Sequence, residues 1–171
     1  MSMILLGYRG CGKTTIGKRI ADRLWQKFVD TDDLVTKVTG KTIRQIFDEH
    51  GEAHFRELEA EAVRKALTLQ EHVIALGGGA VLLDQTRNLL RGSTLKRLYL
   101  RCDPQELLRR IQNDPNTHRN RPDLTTLGGG IEEITQVLND REPLYRQVST
   151  AELDVTNISP EEAVGRLVRL C

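Results

Sequence analysis

Long apolar runs are absent from this 171-residue chain. No stretch approaches the roughly 20 consecutive apolar residues that a membrane-spanning helix needs. The N-terminus carries no cationic lead ahead of an apolar segment, so Met3-Ile4-Leu5-Leu6 is expected to be strand material and not a secretory signal. Cysteine is scarce. Cys11, Cys102 and Cys171 are an odd number at unrelated spacings, which fits reduced thiols in a cytoplasmic protein better than a disulfide framework or a metal site. An excess of one charge is also missing: 25 Lys and Arg against 24 Asp and Glu leave a formal net charge of +1, so any anion site has to be local. With aromatics at 4% and basic residues dispersed, no nucleic-acid surface is expected. No repeat, low-complexity tract or linker divides the chain, and its length suits a single domain spanning 1–171. No exposed apolar stripe is evident, so a monomer is expected.

What is present begins with Gly7-Tyr8-Arg9-Gly10-Cys11-Gly12-Lys13-Thr14-Thr15, which fits G-x-x-x-x-G-K-[ST] at every fixed position. The buried-strand pattern of Met3 to Leu6 precedes it. An amphipathic helix from Thr14 to Leu24 follows, with Ile16, Ile20, Ala21 and Leu24 at helical spacing. The glycines let the backbone wrap closely and turn its N–H groups inward, and the positive end of the helix adds to them. Gly10, Cys11, Gly12, Lys13, Thr14 and Thr15 are therefore the expected site for the phosphates of a nucleotide. Lys13 would reach the outer phosphates, and the Thr14 hydroxyl would ligate Mg²⁺.

The remaining pattern alternates strand and helix. Further strands are expected at Lys27 to Val29, Val73 to Leu76, Leu98 to Leu100 and Glu152 to Val155. Helices are expected from the acidic run at Asp30-Thr31-Asp32-Asp33 to Gly40, from the capping box Thr42-Ile43-Arg44-Gln45 to Gly51, and from Glu52 to Leu69. Asp84 can cap a helix closing at Gly92, and Asp103 with Pro104 opens one running to Gln112. A polar, aperiodic segment over 113–130 reads as a lid. A helix from Ile131 to Arg146 and one opened by Ser159-Pro160 complete the series. This order predicts an α/β three-layer sandwich: a five-stranded parallel sheet with helices on both faces and ligands beyond the strands' C-terminal ends.

Several residues fall at that end. Asp30 and Asp32 flank Thr31, so in an extended backbone both point to one side. One can join Thr14 at Mg²⁺ while the other accepts a hydrogen bond, or a proton, from a substrate hydroxyl. N-capping of the next helix is the plainer role for either. The strand ending at Leu76 leads into Gly77-Gly78-Gly79 with no acid, which suits a small-metabolite kinase better than an ATP-driven motor. The triplet can bring bare backbone against a ligand, or simply turn the chain. Arg56, Arg121 and Arg141 are candidates for carboxylate and phosphate oxygens, because a guanidinium donates two parallel hydrogen bonds. Arg56 could instead pair with Glu52, and Arg141 could be a solvated helix charge. Cys11, near a helix N-terminus, is either an acidified thiol open to alkylation or a tolerated small residue.

Taken together, GYRGCGKTT, FVDTDD, FRELE, ALGGGAV, NRPDL, DREPLYRQV and DVTNISP make a chain that resembles the shikimate kinase family over nearly its whole length. The resemblance implies a nucleoside-monophosphate-kinase-like P-loop fold. It also implies transfer of the ATP γ-phosphoryl group to the 3-hydroxyl of shikimate, on the route to the aromatic amino acids. It places Asp30 at the magnesium ion and Asp32 at the substrate hydroxyls. Arg56 and Arg141 would bind the shikimate carboxylate, with Gly78, the middle glycine of Gly77-Gly78-Gly79, beside the ligand. The lid arginine falls on Arg121, although Arg119 could share or take over its role. Adenine is expected between Arg110 and the segment from Asn157 to Pro160, and the substrate-binding helical region falls at about 32–60. A kinase of another small hydroxylated acid such as gluconate would keep the phosphate loop but has no evident need for the other motifs. A non-catalytic sensor derived from a kinase is disfavoured because every expected reactive position is occupied.

Overall fold

The computed structural model describes residues 2–114 and 130–170. Its centre is β1 (Met3–Leu6), whose four residues are all buried. Around it lie β2 (Lys27–Asp30), β3 (His72–Ala75), β4 (Lys96–Arg101) and β5 (Ala151–Asp154), all parallel, in the order β2-β3-β1-β4-β5. Asp30 pairs in register with Ala75, as Ala75 does with Leu5, so the three strands on this side end level with one another. The loops that carry the site leave from that common edge.

A central strand covered on both faces has no polar side, and here the alternation sorts by face. Met3 and Leu5 join Val73, Leu98 and Leu100 against Ile16 and Ile20 of α1 (Lys13–Arg23), Leu107 and Ile111 of α5 (Pro104–Gln112), and Leu167 of α7 (Pro160–Val168). Ile4 and Leu6 join Ile74, Leu76 and Tyr99 on the other face. They pack against Val63 and Ala66 of α3 (Ile43–Leu67), Leu90 of α4 (Asp84–Gly92), and Tyr145 and Val148 of α6 (Ile131–Val148). Each fully buried leucine or isoleucine here contributes about 1.5–3 kcal/mol relative to exposure. The expected three layers are present.

A smaller apolar cluster joins Val35 of α2 (Thr31–Thr39) to Ile43, Ile46, Phe55 and Ala62 of α3. The expected break near Gly51 is a kink within α3. Gly51 has φ 79° and ψ 171°, a conformation that a residue with a Cβ resists. The capping box forms as read: Gln45 N donates to Thr42 Oγ1 at 3.2 Å, and Thr42 N donates to Gln45 Oε1 at 2.9 Å. Ser159 likewise accepts from Glu162 N at 3.1 Å.

Two capping expectations fail because an arginine competes for the carboxylate. Asp84 is the first residue of α4 and not its cap; Leu83 holds the cap position and Asp84 pairs with Arg87. Asp103 stands at the cap of α5, but it binds Arg101 at 2.7 Å and makes no capping bond.

Candidate active site

The turn from β1 into α1 is shaped by its glycines. Gly7, Gly10 and Gly12 have φ of 142°, 80° and 100°. A Cβ on Gly7 would lie 2.7 Å from the Leu100 carbonyl oxygen, so glycine is needed there for both conformation and space. Gly12 caps α1 without a side-chain acceptor. Lys13 folds back so that its Nζ donates to the carbonyls of Gly7 at 2.8 Å and Tyr8 at 3.0 Å. Lys13, Thr14 and Thr15 line a cavity of about 1060 Å³, large enough for a nucleoside triphosphate. Arg110 and Pro160 lie on its far wall, whereas Asn157 is exposed and does not line it. Arg110 holds that wall by donating to the carbonyls of Val155 at 2.7 Å and Cys11 at 3.4 Å. Cys11 itself is fully buried, and its sulfur fills the space behind Gly7. The alternative of a thiol open to alkylation is therefore overturned by packing.

The two acids reach the site in an unexpected way. The backbone is not extended across Asp30-Thr31-Asp32, because β2 ends at Asp30 and α2 begins at Thr31. Asp30 is the cap of α2, and its Oδ1 accepts from Asp32 N at 3.0 Å. Its other oxygen, Oδ2, accepts from Thr14 Oγ1 at 3.1 Å. The plain role and the functional placement thus coexist on one carboxylate. Burial, reinforced by the neighbouring Asp32 charge, raises the Asp30 pKa. Thr31, wholly buried, accepts from Gly77 N at 2.9 Å and pins the start of α2 to the glycine triplet.

Beside the phosphate loop lies a second, smaller cavity. Its apolar wall is Ile43, Phe47 and Phe55, with the two rings 4.9 Å apart. Opposite stand Asp32, Arg56, Glu59, Gly78, Gly79 and Arg141. Arg56 sits one position off the apolar stripe of α3 and is 8% exposed. It donates to Glu59 at 2.7 Å and to Glu52 at 2.9 and 3.1 Å, so the expected pairing with Glu52 is real and only part of the story. Arg141, on α6, is also buried and donates to the Gly78 carbonyl at 3.2 Å; it is not a solvated charge. Tyr145, one turn on, donates to the same carbonyl at 2.5 Å, and its burial raises its pKa and keeps the phenol protonated.

The triplet is glycine for steric reasons at two positions. A Cβ on Gly79 would lie 2.1 Å from Arg56 Nη1, and one on Gly77 would lie 2.4 Å from Asp32 Oδ1 and 2.5 Å from Glu59 Oε1. Gly78 and Gly79 face the cavity, whereas Gly77 stands behind the two acids and lines neither space. Arg119, Arg121 and nearly all of the expected lid lie outside the described residues.

Sequence reasoning passed over Glu59, Arg9 and Glu133. Glu59 is 2% exposed, and burial pushes its carboxyl up to about 7 even though Arg56 pulls the other way. Its signal was the second acid of FRELE, one helical turn from Arg56. Arg9 and Glu133 form a buried ion pair at 3.2 Å across 124 residues, for which no local signal exists.

A family model described as shikimate kinase matches residues 9–171. A shikimate kinase of Rhodococcus erythropolis is 41% identical over 167 residues, covering 96% of this chain and 94% of that one. One from Caldanaerobacter subterraneus is 39% identical, covering 98% and 94% of the two chains. Among solved structures, the shikimate kinase of Acinetobacter baumannii in complex with shikimate superposes with a TM-score of 0.91 at 28% identity, covering 99% of this chain and 91% of that one. Sequence and fold agree, and this chain belongs to the shikimate kinase family.

Proposed function

We propose that this phosphotransferase moves the γ-phosphoryl group of ATP to the 3-hydroxyl of shikimate, releasing ADP and shikimate 3-phosphate. The observation that carries the reading is a shared wall: Asp32 lines both the phosphate-loop cavity and the small cavity holding Arg56 and Arg141. An anionic, hydroxylated ring of modest size fits the small cavity. Its carboxylate would meet two buried guanidinium groups, its ring would lie along Phe47 and Phe55, and a hydroxyl would face Asp32. Gly78 would border the ring through its backbone.

The nucleotide phosphates would lie on the amides of Gly10 to Thr15, with Lys13 exchanging its two loop carbonyls for phosphate oxygens. Arg110 and Pro160 would border the base. Thr14 and Asp30 offer two hard oxygen donors 3.1 Å apart at the foot of the loop, which fits Mg²⁺ bound by few protein ligands and by phosphate oxygens. When bound, Mg²⁺ neutralises charge on the β- and γ-phosphates. Asp32 orients the attacking hydroxyl and accepts its proton as the new bond forms. Arg121 would add a donor to the transferring group from the lid. The enzyme would act as a cytoplasmic monomer; among the described residues no helix is long and apolar enough to cross a membrane.

Coupled ADP release measured with shikimate, quinate and gluconate in turn tests the reading. Turnover with shikimate exceeding the other two by at least about 100-fold is expected. Quinate adds a hydroxyl at the carbon that bears its carboxylate and loses the flat ring, and gluconate is an open chain. Neither sets a carboxylate and a hydroxyl rigidly against the two guanidinium groups and Asp32. Comparable turnover with gluconate would sink the assignment.

A further inference from the structure

Arg9 occupies a position in the phosphate loop where the motif asks for nothing in particular, yet it is buried, 8% exposed. Among the described residues, Arg9, Asp32 and Ile43 line both cavities, and Arg9 is the cation of the three. Lys13 lines the nucleotide side only, whereas Arg56 and Arg141 line the acid side only. Gly78 brings the glycine triplet alongside, since a Cβ there would lie 3.4 Å from the Arg9 amide nitrogen. The arginine therefore stands at the seam that a phosphoryl group must cross.

Its partner explains how it is held there. Nη2 donates at 3.2 Å to Oε1 of Glu133, in the first turn of α6, and the Glu133 side chain is 0% exposed. A buried ion pair is a poor stability device, because an apolar pair of similar volume is commonly as stable or more so. What such a pair does well is fix a direction, and a guanidinium with five donors can bind a carboxylate while facing another anion.

We propose that Arg9 is a catalytic residue that contacts the phosphoryl group in flight, and that Glu133 is the positioning residue that aims it across the junction of the two cavities. The proposal rests on the phosphoryl-transfer reading above. In the step itself, the bond between the γ-phosphorus and the β,γ-bridging oxygen breaks and its electron pair stays on ADP. The bond to the acceptor oxygen forms, and the hydroxyl proton passes to Asp32. Negative charge spreads over the three equatorial oxygens, where a fixed planar donor stabilises the transition state more than either ground state.

The test is the neutral pair Arg9→Met with Glu133→Gln, which removes both charges at nearly constant volume and leaves no buried charge alone. A fold close to wild type by thermal melting is expected, with kcat lowered about 100-fold and both KM values within about threefold. ADP with aluminium fluoride and shikimate should bind the wild type far more tightly than the double variant, while ADP alone binds both equally. A double variant with kcat within threefold of wild type overturns the proposal, since a purely structural pair predicts that result. Should the double variant not melt cooperatively, Arg9→Lys decides. It keeps the ion pair but not the planar fork, so kcat should fall about tenfold, and an unchanged kcat overturns the proposal. Failure of the wild type itself to phosphorylate shikimate would instead remove the underlying reading.

Discussion

Glu59 sets a pH dependence that can be worked out from its surroundings. Burial lifts its carboxyl from an ordinary 4.5 to about 7 in the folded protein, against the pull of Arg56 and with a push from Asp32. Below pH 4.5 the group is protonated in both folded and unfolded chains. Between 4.5 and 7 the unfolded chain gives up the proton first, so it binds fewer protons than the native state and stability falls as pH rises. The whole excursion is worth about 3 kcal/mol, reached above pH 7. Glu59→Gln keeps the neutral shape and an acceptor for Arg56 but cannot titrate. Melting temperatures of the two proteins, compared from pH 4.5 to 8, should therefore diverge with rising pH. For a chain of this size the gap should reach roughly 6–12 °C in favour of the variant. Asp30, raised in the same direction by burial and by Asp32, titrates in both proteins and drops out of the comparison. Parallel melting curves across the range would refute the reasoning.

Gly79→Ala places a methyl 2.1 Å from Arg56 Nη1, and that guanidinium is held by Glu52 and Glu59 and cannot simply swing away. The KM for shikimate should rise about tenfold or more while that for ATP stays put, and equal changes in both would contradict the packing argument. Arg141→Ala removes a buried donor from the acid cavity and should raise the KM for shikimate about 10- to 100-fold with a much smaller change in kcat. Arg121→Ala should do the reverse, lowering kcat about 100-fold with KM little changed. Steady-state kinetics with each substrate varied in turn distinguish the two patterns.

The parts of the site readable from sequence were those where chemistry demands a residue type at a fixed spacing. The phosphate loop is one, because positive φ at Gly10 and Gly12 and the cavity beyond them leave little choice. The capping box at Thr42 is another, being a bond within three residues. The helix start within the acidic run was legible, but the extended backbone across Asp30-Thr31-Asp32 was not what forms, since β2 gives way to α2 between Asp30 and Thr31 without an intervening turn. Asp84 and Asp103 carry the right side chain for a cap, yet Asp84 lies one residue inside its helix and pairs with Arg87, and Asp103 pairs with Arg101 two residues back. Glu59 was hidden for a deeper reason: an acid in a charged helix reads as solvated until α2 and the glycine triplet are seen closing over it. The Arg9–Glu133 pair depends on packing α6 against the phosphate loop, which no local rule contains.

Asp30 divides its labour between two oxygens, one fastening the first turn of α2 and the other turned to Thr14. On the metal reading proposed above, that second oxygen and the Thr14 hydroxyl would hold the ion while the first keeps its bond to Asp32 N. The anchorage of α2, and with it the bearing of Asp32 toward its substrate, would stay undisturbed through each round of loading and discharge. A carboxamide at this position would keep the anchorage and forfeit the ion, which makes the two duties separable at the bench.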